Sequence, residues 1–66
     1  MDKKQIGLRL KDLRGDKTLK EVAVAVGIST SALGMYEIGQ RVPCDPIKIA
    51  LAKYFGTTVD AIFFAE

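Results

Sequence analysis

The stretch from Thr18 to Pro43, TLKEVAVAVGISTSALGMYEIGQRVP, leaves the chain few ways to fold. Thr18 stands where it can cap a helix, and Glu21, three residues on, completes the spacing of a capping box. Leu19, Val22, Ala23 and Val26 then recur at helical intervals, and Gly27 supplies the left-handed residue at which a helix stops. Ile28 follows as an apolar plug in the turn, and Ser29 is a good cap for a second helix. In that second helix residues four apart share a strip. Thr30 pairs with Gly34 and Ser31 with Met35, while Leu33, Tyr36 and Glu37 turn away from both strips. A small residue at Ala23 lets the two helices cross closely. The second helix is therefore expected to bury one side on its neighbours and to present the other outward.

One segment argues locally for a different structure. Val22-Ala23-Val24-Ala25-Val26 alternates strictly, and its three β-branched residues favour a strand. A lone strand has nowhere to place its backbone hydrogen bonds, and the chain offers no second one. With a capping box ahead and a glycine stop behind, a helix is expected.

The flanks extend the same pattern. Asp2 and Gln5 offer another capping box, and Ile6, Leu10 and Leu13 give a first helix its apolar stripe. Gly7 weakens that helix by about 1 kcal/mol relative to alanine, which points to a packing reason or to simple tolerance. Arg14 ends the helix and Gly15-Asp16-Lys17 makes the turn. After the central stretch Gly39 stops a helix and Pro43 bars a quick restart. Asp45 is expected to cap a fourth helix with Pro46 at its first position. Ile47, Leu51 and Phe55, with Ala50 and Tyr54 beside them, form its inner face, and Gly56 stops it. Thr58 is expected to cap a short final helix that turns Val59, Ile62 and one of Phe63 and Phe64 inward. The expectation is an all-α, compact five-helix bundle.

At 66 residues the chain is read as one domain, residues 1–66, with one small core. Folding at this size removes only about 60 % of the unfolded chain's surface from water, so stability is expected to be modest. Cys44 is alone, so no internal disulfide adds to it, and a single thiol without an apparent secretory signal suits the cytoplasm. No apolar run approaches the roughly 18 residues of a membrane span. There is no histidine, no metal-ligand spacing around the cysteine and no glycine-rich phosphate loop, so catalysis, metals, cofactors and a small-molecule substrate are not expected. The formal charge of +2 says little alone, but its placement says more. Residues 1–26 carry seven lysines and arginines against four carboxylates, whereas Arg41 and Glu37 balance within 27–44 and the remainder has one excess acid. The positive potential thus lies on the amino-terminal side, where it can meet phosphates or simply face water.

The run Ala23-x-x-x-Gly27-Ile28-Ser29-x-x-x-Leu33-x-x-Tyr36-Glu37-x-Gly39-x-Arg41-x-Pro43 resembles the Cro/CI-type (XRE-type) helix-turn-helix family of transcriptional regulators. The flanks fit that family's five-helix, lambda-repressor-like DNA-binding domain, so the resemblance covers nearly the whole chain. It implies a regulator, a repressor, that binds double-stranded DNA as a homodimer on a pseudo-palindromic operator, and a phage-like or mobile-element origin. No inducer-binding domain is expected.

In a helix-turn-helix the second helix lies in the major groove, with its first residues at base edges. Carried over by position, Thr30, Ser31, Gly34 and Met35 take the groove-facing places. Hydroxyls serve either base type, and the Thr30 methyl and Met35 suit thymine methyl groups. The same Thr30 and Ser31 also read as plain helix-start residues. Family members often place Gln, Arg, Asn or Lys here, so this helix is poorer in bidentate hydrogen bonds. Arg41 is the remaining candidate for a guanine or a narrow minor groove, with a phosphate contact as the alternative. Phosphate contacts are expected from Lys17, Thr18, Leu19, Lys20, Ser29 and Gln40, the amides at Thr18 and Leu19 acting through the helix dipole. Leu19 stands where many relatives carry a glutamine clamp, and the Arg14–Thr18 loop is about two residues shorter than theirs. The resemblance also implies an Arg14–Glu37 ion pair that fixes the second helix, against two separately solvated charges.

Phe63 and Phe64 point about 100° apart on a helix and cannot both enter one small core. An exposed aromatic there, with Ile62, suits a two-fold interface, and Ile62, Phe63 and Phe64 are the expected dimer contacts. A rival reading is a protein-interaction module, an adaptor, antirepressor or antitoxin, that keeps the fold. The apolar Met35 and Ala32 speak for that reading.

Overall fold

The computed structural model describes residues 2–65. Among them are five helical elements and no strand: α1 (Lys3–Arg14), α2 (Leu19–Val26), α3 (Thr30–Glu37), α4 (Asp45–Phe55) and α5 (Asp60–Phe64), the last a single π-type turn. The alternating valines are helical, as the capping signals require. Thr18 Oγ1 accepts from the Glu21 amide at 3.0 Å, and Gly27, at φ +86°, closes α2 with its own amide and that of Ile28 on the Ala23 carbonyl, both at 2.9 Å. Asp2 caps α1 by accepting from the Lys4 amide at 2.9 Å and the Gln5 amide at 3.4 Å.

The core is built from two apolar residues of each helix, Ile6 and Leu10, Val22 and Ala23, Leu33 and Tyr36, Leu51 and Ala52, Ile62 and Phe63. Helix α1 makes its broadest contact with α3, and α2 wedges between α3 and α4. Leu13, expected inside, is 40 % exposed. The buried side of α1 runs instead through Ile6, Gly7 and Leu10, and at Gly7 the helix leans directly onto the end of α3. A Cβ on Gly7 would strike the Glu37 carbonyl oxygen and lie 2.7 Å from both the Glu37 carbonyl carbon and the Tyr36 carbonyl oxygen. Glycine is therefore what lets these two helices touch by their backbones.

Two termini differ from expectation. The cap of α4 is Cys44, in extended conformation and with no side-chain cap bond, and Asp45 is already the first helical residue. Pro46, next in line, has no N–H, so a capping side chain loses one of its usual targets there. Asp45 instead pairs with Lys48 one turn on, at 3.6 Å. At the other end Thr58 Oγ1 does accept from the Ala61 amide at 3.1 Å, but the turn that follows is wider than an α-turn. Arg9 of α1 reaches across to it, donating from Nη1 to the Ile62 carbonyl at 2.8 Å and from Nη2 to the Ala65 carbonyl at 2.6 Å. These two bonds supply donors to carbonyls that a helix end otherwise leaves without partners.

Candidate nucleic-acid interface

Helix α3 has the two-sided character its spacing foretells. Leu33 and Tyr36 are buried against the core, while Thr30, Ser31 and Met35 are exposed along the outer side. Ser29 is the cap, its hydroxyl accepting from the Ala32 amide at 3.0 Å. Thr30 and Ser31 are thus not cap residues, and among the described residues no hydrogen bond occupies either side chain. Gly34 lies between them and Met35 on an open surface, where an added Cβ would meet nothing within 4 Å. Packing inside the chain does not call for glycine at this position.

One guanidinium holds this helix in place. Arg14 Nε donates to Glu37 Oε2 at 2.7 Å and Nη2 to Glu37 Oε1 at 3.0 Å, a two-bond fork between α1 and α3. Its remaining arm, Nη1, donates to the Lys17 carbonyl at 2.6 Å. The short α1–α2 loop is thereby tied to the same group that orients α3. Both side chains are largely shielded from water, and charge-assisted forks of this kind are among the stronger polar contacts. The bond to Glu37 holds the Arg14 guanidinium above its ordinary value, against the opposing effect of burial, so its charge persists.

The other expected contacts surround α3. Lys20, Gln40 and Arg41 are exposed, the last two in the segment that leaves α3. The Gln40 amide closes the helix end by donating to the Met35 carbonyl at 3.0 Å. Thr18 and Ser29 each have their hydroxyl oxygen engaged as a cap, with the hydroxyl proton free to reach outward. Leu19 is half-buried against the core, so any role at a phosphate falls to its amide. Lys17 Nζ lies 4.9 Å from the centre of the Tyr54 ring. That stacking on α4 was not legible in the sequence, because the two residues are far apart in the chain.

The dimer residues divide. Ile62 and Phe63 lie inside this chain's own core and cannot present their side chains to a partner, which corrects the expectation for both. The reason is the wide last turn, which Arg9 draws onto α1 and which rolls Phe63 inward. Phe64 is the exposed member at 56 %, with Lys48 Nζ 5.3 Å from its ring. Among the described residues no group of histidine, cysteine, aspartate and glutamate is placed to hold a metal ion, and no helix is long and apolar enough to cross a membrane.

Comparison with known proteins agrees with this geometry. Residues 5–62 match the helix-turn-helix domain family. No curated protein matches the chain. Among solved structures, the restriction-modification controller protein C.AhdI from Aeromonas hydrophila superposes with a TM-score of 0.85 at 28 % identity, covering 94 % of this chain and 97 % of that one. The clp gene regulator ClgR from C. glutamicum superposes with a TM-score of 0.80 at 24 % identity, covering 97 % and 86 %, and speaks to the fold alone. The chain belongs to the helix-turn-helix domain family, in its Cro/CI (XRE) type.

Proposed function

We propose that the chain is a sequence-specific DNA-binding transcriptional regulator, a repressor that occupies its operator as a homodimer with α3 in the major groove. The observation that carries this reading is the outer side of α3. Thr30, Ser31, Gly34 and Met35 face away from the core and have no occupant within the chain, while the Arg14 fork holds the helix from behind. Thr30 and Ser31 read base edges, Gly34 admits the sugar-phosphate wall, and Met35 touches a thymine methyl group. Lys20, Gln40, Arg41 and the amides at the start of α2 take phosphates on either side, with Lys17 held nearby over Tyr54. The likeness to C.AhdI, a controller protein, supports a regulatory role.

Size supports the dimer. The longest dimension of the chain is 27 Å, and it presents one such helix. Successive major grooves on one side of B-form DNA lie about 34 Å apart, so a palindromic site needs a second copy. The exposed Phe64 is the residue that copy meets. Repeated selection of bound duplexes from a random pool tests the reading. Two inverted half-sites with centres about one helical turn apart should emerge, and Thr30→Ala or Ser31→Ala should change the preferred bases within each. A pool that never enriches, or a preference indifferent to both substitutions, would overturn it.

A further inference from the structure

Helix α1 begins against the segment that leaves α3, and the contact is close. Gly39 has φ +78°, and a Cβ built there would stand 3.2 Å from Lys4 Cα and Cγ and 3.3 Å from the Lys4 amide nitrogen. One turn further along α1, Gly7 touches the last carbonyls of α3. These two backbone contacts seat the first two turns of α1 rigidly beside the Gly39-Gln40-Arg41 segment. Lys4 is exposed at that seam, at the mouth of a shallow cleft formed with Leu8, Glu37 and Ile38. The acids nearby are already engaged: Glu37 by Arg14, and Asp2 by the amides it caps. Neither Lys4 nor Arg41 belongs to an ion pair among the described residues.

We propose that Lys4 is a phosphate-contacting residue, which extends the DNA-binding surface from the end of α3 and Arg41 onto the start of α1. The proposal rests on the DNA-binding reading above. The competing role for a cation at this seam is purely structural, since the carboxyl end of a helix favours a nearby positive charge and Lys4 lies beside the end of α3. The two roles part in what a substitution changes. A phosphate contact releases counterions and appears in the salt dependence of binding; a dipole contact appears in stability.

The test is duplex binding by the full chain at several salt concentrations, with Lys4→Gln compared with wild type and with Lys53→Gln, an exposed lysine on the last turn of α4. Removing one phosphate contact from each of two protomers should flatten the log–log slope by about 1.8, at about 0.9 for each contact. Lys53→Gln should leave the slope near wild type, and the melting temperature of Lys4→Gln should stay near wild type as well. An unchanged slope for Lys4→Gln overturns the proposal, whether or not its melting temperature falls, and so does an equal flattening by Lys53→Gln. A wild-type slope near zero instead removes the DNA-binding reading itself and the proposal with it.

Discussion

Gly7→Ala isolates the contact on which the position of α3 depends. In a free helix this change stabilises by about 1 kcal/mol, because alanine is the better helix former. Here the new methyl group is aimed at main-chain atoms of Tyr36 and Glu37, at 2.7 Å for two of them and closer for the Glu37 oxygen. An ordinary carbon–oxygen approach is about 3.3–3.6 Å, so α1 and α3 have to part by roughly 1 Å. No side chain can rotate away, since the atoms in the path belong to a helix backbone. Overpacking of this kind costs about 1–3 kcal/mol, and more where the obstacle is rigid. The displacement also stretches the Arg14–Glu37 fork, and a weakened hydrogen bond to a charged group adds about 1–3 kcal/mol. Against the gain in helix propensity, a net loss of about 2–4 kcal/mol is expected. For a domain this small each kcal/mol moves the midpoint by about 4–8 °C, so thermal melting followed by circular dichroism should show a fall on the order of 10–20 °C. A midpoint equal to or above wild type would refute the backbone contact between α1 and α3.

Gly34→Ala should do the opposite to stability, because the site is open: a gain of up to about 1 kcal/mol in denaturant unfolding, together with weaker duplex binding from the added methyl group. An equal or lower stability would contradict the open outer side of α3. Glu37→Leu alone should destabilise by about 2–3 kcal/mol, since it strands a shielded guanidinium, while Arg14→Met with Glu37→Leu should cost less than Glu37→Leu alone. Additive losses in that double-mutant cycle would mean the pair is not coupled. Phe64→Glu should leave the monomer's melting curve close to wild type but shift sedimentation equilibrium toward monomer, and an unaltered association constant would remove Phe64 from the interface.

The local signals in the chain carried much of this architecture. Asp2, Thr18 and Ser29 cap the helices their spacing indicates, Gly27 closes α2, and four-residue strips separate Leu33 and Tyr36 from Thr30 and Ser31. Each of these depends on neighbours within one or two helical turns. What escaped depends on residues that meet only after folding. For Gly7 the sequence leaves packing and tolerance both open, and only the end of α3 resting on it decides for packing. The Arg9 bonds to Ile62 and Ala65 join residues more than fifty positions apart, and the seat of Lys17 on Tyr54 joins two residues 37 positions apart. Helical geometry requires that Phe63 and Phe64 diverge, but only the wide final turn decides which one enters the core. The cap of α4 lies one residue earlier than its spacing indicates, at Cys44, where Pro46 in the second helical position denies the cap one of its usual donors.

A cleavage reagent tethered at Ser31→Cys, in a Cys44→Ser background, locates the outer side of α3 on bound duplex most directly. Cuts are predicted in two clusters of bases about 34 Å apart along the duplex, with none from the same reagent at Ile49→Cys on the outside of α4. Bound duplex left intact by the reagent at position 31, or cut equally from position 49, would contradict the placement of α3 in the major groove.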